Sequence, residues 1–354
     1  MNKQRSKPVE AELSQALPRL LPPILKLGSI RREERVGKML VDLSADVVTP
    51  QGKKRRLFVE VKASASPAQI REVLRRFRGA LSKATKGYPV LASTFLSPRV
   101  REICKEEGVG YIDLAGNFYL QLDDLYLEKV VDKNPFPTRG RPPSLFGAVS
   151  SRIVRALLEE PERRWQVREL AEATQVSLGQ TSNVARRLSE EEYVTKAENR
   201  IFVSQPAKLL DAWQEQYAPE NKRRMAYYSF NRNSEELLTR VAEISQDQGW
   251  KYAVTSFAAA SLAAPFVRGV GLIEWYVEDL TKVDPWVKAL DLRPVEEGPN
   301  VALVIPYDPG VFYRSQKIDG TTLVGNIQLY LDLYSNPGRG REQAEFLRKE
   351  RLKF

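Results

Sequence analysis

The chain has 354 residues, 42% of them hydrophobic, and carries 55 Lys and Arg against 45 Asp and Glu, a net charge of +10. A single cysteine, Cys104, excludes an internal disulfide and fits a reducing cytoplasm, where the protein is expected to reside. The complete lack of histidine excludes Ser-His-Asp and Cys-His hydrolases and His-ligated zinc, so hydrolysis would have to run on carboxylates, lysines and hard metal ions.

The length suggests two or three domains, and charge distinguishes them. Residues 1–143 hold 27 Lys and Arg against 16 Asp and Glu, whereas the remainder holds 28 against 29. An electrostatic grip on phosphates is therefore expected in the N-terminal third. The apolar stretch 17–27 is short and broken by Pro18, Pro22 and Pro23, so neither a membrane span nor a signal peptide is expected.

The N-terminal domain, 1–133, is expected to be an α/β sandwich. Residues 39–49 and 57–63 read as strands joined by a basic turn at 51–56. Ile70, Val73, Leu74, Phe77 and Leu81 make one helical stripe, with arginines at 71, 75, 76 and 78 on its other sides. A strand at 88–94, a helix at 98–107 and short strands at 111–114 and 118–122 follow.

Glu60 and Lys62 lie two apart on a predicted strand and so share a face. A hairpin is expected to bring Asp46 close to them. Two carboxylates and a lysine suit metal-dependent phosphodiester cleavage, the carboxylates holding Mg²⁺ and the lysine activating water. The order Asp…Glu-x-Lys resembles the restriction-endonuclease-like PD-(D/E)xK fold. No proline stands directly before Asp46, Asp42 competes for its role, and an upstream helical Glu, from Glu12, Glu33 or Glu34, is also wanted. The site is expected to be vestigial, with metal held by Asp46 and Glu60 only if the chain is a nuclease. The alternative is a cross-strand charge pair.

The linker 134–143, NPFPTRGRPP, cannot continue a helix or central strand. Its Arg139-Gly140-Arg141-Pro142 matches an AT-hook core, in which glycine lets the backbone lie deep in a narrow minor groove with arginines on either side.

Residues 144–218 are expected to hold a winged helix-turn-helix. Leu170 and Ala171 face inward on a first helix, and Ser177 is placed to cap a second, on which Thr181, Val184 and Leu188 share the buried side. Gln180, Asn183, Arg186 and Arg187 are left outward, where they can meet base edges and phosphates. Lys196 and Arg200 bound the tip of a two-stranded wing. A helical hairpin packed on a partner protein is the competing reading.

Residues 219–354 again alternate: helix 235–248, strand 252–255, helix 257–263, strands 272–277 and 301–305, and helices near 325–334 and 340–350. Val254-Thr255-Ser256 ahead of a helix, with Glu274 and Glu278 on a strand, gives a nucleotidyltransferase-like outline. Gly-Ser is missing and the acids lie four apart, so a scaffold without catalysis is expected.

The segments 95–120, the RGRPP linker, the winged-helix block, 252–277 and 326–349 together resemble the AbiEi-type antitoxin family of type IV toxin–antitoxin systems. The resemblance implies an α/β multidomain protein acting as a winged-helix autorepressor. It also implies that the C-terminal domain counters a nucleotidyltransferase-type toxin encoded beside it. This chain departs from shorter members, whose winged helix comes first. The expected partners are double-stranded DNA, such a toxin and a second copy of the chain on a palindromic site, with no cofactor. A Mg²⁺-dependent nuclease aimed by its winged helix, and a protein-interaction module, are the alternatives.

Overall fold

The computed structural model describes residues 3–36, 39–63, 66–81, 87–131, 135–136, 144–217, 223–231, 233–267 and 269–354. The chain is mixed α/β and divides into two units, Met1–Pro142 with Glu190–Glu192, and Pro143–Ser189 with Tyr193–Phe354.

In the first unit, α1 (Lys3–Leu20) precedes a seven-stranded sheet whose strands lie in chain order. These are β1 (Lys26–Val36), β2 (Met39–Val48) and β3 (Lys54–Lys62), then β4 (Gly87–Ser93) after α2 (Pro67–Leu81). After α3 (Pro98–Glu106) come β5 (Gly110–Asp113), β6 (Phe118–Leu122) and β7 (Leu125–Lys129). β3, β4 and β5 are mutually parallel, as the intervening helices allow, and the other pairs are antiparallel. The strand alternation sorts the core. Leu43, Val59, Val61 and Val90 meet Leu13 and Leu17 of α1, while Leu91 and Tyr111 meet Ile70, Leu74 and Ile103 of α2 and α3. Helices thus cover both faces of the sheet.

Lys54, Arg55 and Arg56, expected in a turn, instead begin β3 opposite Val48, Val47 and Asp46. The turn is shorter because Gly52, at φ +77°, reverses the chain within residues 49–53. The segment 108–120 owes its character to a buried turn. The Asp113 carboxylate accepts from Leu96 N–H at 2.9 Å and from Asn117 N–H at 3.0 Å, and Arg101 donates to Asn117 Oδ1 at 2.7 Å. Burial raises the Asp113 pKa against those hydrogen bonds.

The second unit opens with α4 (Ala148–Glu159), β8 (Trp165–Gln166), α5 (Val167–Thr174) and α6 (Leu178–Glu190). The hairpin β9 (Val194–Ala197) and β10 (Arg200–Val203) and then α7 (Pro206–Glu215) follow. β8 pairs with β10, giving a small sheet in the order β8-β10-β9. Beyond it lie β11 (Arg223–Tyr228), α8 (Ser234–Gln248), β12 (Tyr252–Thr255), α9 (Ser256–Ala263) and β13 (Ile273–Val277). Next come α10 (Val283–Ala289), β14 (Arg293–Pro294), β15 (Val301–Ile305), β16 (Gln316–Ile318) and β17 (Thr321–Leu323). α11 (Asn326–Tyr334) and α12 (Gly340–Leu347) follow, and α12 runs on into a π-helical turn at Arg348–Leu352. The larger sheet runs β14-β11-β15-β13-β12-β17-β16. One apolar core joins Leu157, Leu188, Ile201 and Trp213 to Val254, Trp275, Leu303 and Leu331. Among the described residues, no helix is long and apolar enough to cross a membrane.

Candidate nucleic-acid interface

α5 starts where Gln166 N–H donates to Glu169 Oε2 at 3.0 Å, and it stops at Gln175, which adopts the left-handed conformation at φ +53°. The chain turns through Val176, whose N–H reaches back to Ala171 O at 3.0 Å. Ser177 caps α6 as its sequence position predicts, accepting from Gln180 N–H at 3.3 Å. Thr181, Val184, Ala185 and Leu188 are buried, which fixes the rotation of α6. Gln180, Asn183 and Arg186 are consequently exposed, while Arg187 is half-buried at the margin of the stripe. Arg186 donates to Asn183 Oδ1 at 2.8 Å, so the amide –NH₂ of Asn183 is the end not engaged in that bond.

The hairpin turns at Glu198 and Asn199, both left-handed at φ +52° and +61°, the backbone of a tight two-residue loop. Lys196 and Arg200 are exposed on either side of that tip, and Arg200 Nη1 donates to Arg164 O at 3.1 Å. Two arginines that sequence reasoning passed over belong to the same surface. The guanidinium of Arg163 lies 3.6 Å from the Trp165 ring centroid, and that of Arg164 lies 5.0 Å from the Phe202 ring. The Arg-Arg pair directly ahead of the strand-forming Trp165 was the available signal. Arg139 and Arg141 lie outside the described residues.

In the first unit, Glu60 and Lys62 come together, with Lys62 Nζ 2.6 Å from Glu60 Oε1. Asp46 does not join them. The register sets it opposite Arg56, four positions from Glu60, and the two are paired at 2.7 Å. The Arg56 hydrogen bond is the main cause of its lowered pKa, with Ser29 donating to its other side. Asp42 is the carboxylate that flanks Glu60, accepting from Val61 N–H at 2.6 Å. Glu12 lies on α1, but Glu33 and Glu34 lie on β1, and Glu34 takes Arg56 at 3.1 Å. Among the described residues no three acidic or cysteine side chains form a metal-holding group.

In the C-terminal segment, Glu274 and Glu278 separate. Glu274 is buried on β13 and paired with Arg224 at 2.8 Å, whereas Glu278 lies past the strand and accepts from Lys251 N–H at 3.4 Å. The Asp332 carboxylate gathers four side chains, accepting from Tyr217 at 2.8 Å, Thr255 at 2.5 Å, Tyr276 at 3.0 Å and Gln328 at 2.7 Å.

Residues 201–353 match the family model AbiEi_2, described as a transcriptional regulator, AbiEi antitoxin, of type IV TA systems. No curated protein matches the chain. Among solved structures, a repair endonuclease from Pyrococcus abyssi is 18% identical, with a TM-score of 0.25 over 32% of this chain and 49% of that one. An EndoMS–dsDNA2 complex is 19% identical, with a TM-score of 0.22 over 32% and 46%. The chain thus spans less than half the length of either structure.

Proposed function

We propose that this protein is a sequence-specific DNA-binding transcriptional regulator, of the AbiEi antitoxin kind, in which residues 165–203 act as a winged helix. The observation that carries this reading is α6: one side buried, and Gln180, Asn183 and Arg186 presented together on the other. Laid in a major groove, Gln180, Asn183 and Arg187 would meet base edges, and Ser177 and Arg186 the adjoining phosphates. Lys196 and Arg200 at the hairpin tip would hold the backbone beside it. Arg139 and Arg141 are proposed to enter an adjoining A·T-rich minor groove. A homodimer on a palindromic site and a nucleotidyltransferase-type toxin bound by the C-terminal segment complete the proposal, with no cofactor required.

Competition binding with the chain's own upstream DNA against random duplex tests the reading. Asn183→Ala and Arg187→Ala should each lower discrimination by roughly 1–3 kcal/mol, the worth of a bidentate base contact. Unchanged discrimination in both variants would refute the assignment of α6. The toxin arm is tested by co-expression: rescue of growth should be lost when residues 219–354 are deleted.

The nuclease alternative retains one supporting observation, the Glu60–Lys62 pair with Asp42 beside it. Under that alternative Asp42 and Glu60, rather than Asp46 and Glu60, would hold Mg²⁺, which would supply the charge that activates water.

A further inference from the structure

A polar cavity of about 140 Å³ opens in the second unit where β12 ends, lined by Arg224, Thr255, Ser256, Glu274, Asp332 and Asn336 among others. We propose that it binds a small zwitterion of amino-acid size, and that its occupancy is transmitted to α4 through Asp332, Gln328 and Arg155.

The lining charges argue for a zwitterion. Glu274 is only 7% exposed and is neutralised by Arg224, whose side chain is 49% exposed at the rim and so can turn. A ligand bearing both a carboxylate and an ammonium exchanges that one ion pair for two, leaving the charge of the site unchanged. Asp332, the second wall carboxylate, is already held by Tyr217, Thr255, Tyr276 and Gln328 with Arg155 behind it, so an anion or a cation alone would still part Glu274 from Arg224 and compensate just one of them. Ser256 begins α9 at φ +57°, a strained backbone for a serine, and it is steadied by Asn336 Nδ2 donating to its hydroxyl at 2.9 Å. The first N–H groups of α9 favour the carboxylate end. The space of about 140 Å³ has room for several waters, and so for a small solute such as a short amino acid.

The path to α4 is continuous. Asp332 forms part of the cavity wall and accepts from Gln328 Nε2 at 2.7 Å. Gln328 Oε1 accepts from Arg155 Nη2 at 2.5 Å, and both residues are fully buried. A shift of Asp332 on ligand binding therefore acts on a helix whose neighbour is α5.

Ligand binding stands apart from the DNA-binding reading, while transmission rests on it, so two measurements are needed. The full-length protein is scanned by thermal shift and calorimetry with the twenty free L-amino acids, with inorganic phosphate and adenosine monophosphate in parallel. At least one amino acid should raise Tm saturably, and phosphate and the nucleotide should not. The rise should vanish in Glu274→Gln and in Arg224→Met, the latter at a half-exposed position that keeps the test readable if the former does not fold. Absence of any amino-acid shift, or a shift surviving in a folded variant, overturns the site. The same amino acid should change DNA affinity severalfold in the wild type. In Gln328→Met it should still bind but leave DNA affinity unaltered. An affinity that never responds in the wild type overturns the transmission. A chain that binds the amino acid but no DNA overturns the regulator reading and leaves the site standing.

Discussion

Arg155 and Gln328 meet 2.5 Å apart, guanidinium to side-chain oxygen, at a place where α4 and α11 are both sealed from water. Nε and Nη1 of Arg155 are buried without a hydrogen-bond partner among the described residues, and the Trp213 ring centroid stands 5.0 Å away. A charge in such a place is held by its neighbours as a set. Removing it leaves Asp332 uncompensated and a cavity behind. Arg155→Ala should therefore cost about 3–5 kcal/mol in urea unfolding. Arg155→Met, which keeps the volume, should cost clearly less. Equal losses in the two variants would mean that the lost charge, not the cavity, sets the effect.

One turn along α4, Glu159 takes the N–H of Ile327 at 2.9 Å at the start of α11. Burial pushes its carboxyl from 4.5 up to about 7, with Arg155 and Arg314 pulling the other way. The folded state then binds a proton that the unfolded state releases between those values. Stability contributed by the neutral carboxyl is complete below about pH 4.5 and declines as pH rises to about 7. Glu159→Gln should flatten that decline and raise stability above pH 7, on the order of 1–3 kcal/mol. Urea midpoints between pH 5 and 8 that stay parallel in the two proteins would rule out this role.

Much of this was readable in the residues. The α6 stripe Thr181, Val184 and Leu188 follows from helical spacing alone, and the structure buries all three. Strand β1, KLGSIRREERV, was invisible because it is an edge strand whose charged residues, all but the half-buried Glu34, stay exposed and interrupt any alternation. The placement of Asp46 near Glu60 failed for a different reason. Sequence marks which residues alternate on a strand, but register depends on where the turn closes. A turn at 49–53 sets Asp46 against Arg56. Thr255 and Asp332 lie 77 positions apart, and no local pattern announces their contact.

Gln175 holds a left-handed backbone at the end of α5, which a side chain bears only under strain. Gln175→Gly should relieve it. The gain is offset in part by glycine's freedom in the unfolded chain, leaving a net stabilisation of about 0.5 kcal/mol. A loss of stability would show that the Gln175 side chain makes a compensating contact.

Arg163 and Arg164 rest on aromatic rings beside the hairpin, and neither projects from α6. On the DNA-binding reading they touch phosphate. Arg163→Ala and Arg164→Ala should weaken specific and random duplexes alike, each lowering the salt-dependence slope by about 1. A loss confined to the specific site would make them base readers instead.

The first unit's carboxylates are expected to cut nothing. Lys62 is already committed to Glu60 at 2.6 Å, and Asp42 to Val61 N–H at 2.6 Å, while Asp46 is held by Arg56 and Ser29. Mg²⁺ requires near-octahedral oxygen coordination with short bonds, so these carboxylates would have to exchange protein partners for the metal and its waters. Linear and supercoiled DNA incubated with Mg²⁺ or Mn²⁺ should therefore stay intact, and Lys62→Ala should leave DNA specificity unchanged. Should cleavage be seen, geometry dictates its signature. It must disappear in Glu60→Gln and Asp42→Asn and survive in Asp46→Asn, because Asp46 lies four register positions from Glu60. Cleavage with that pattern would put the nuclease ahead of the regulator, while cleavage indifferent to all three would point to a contaminant.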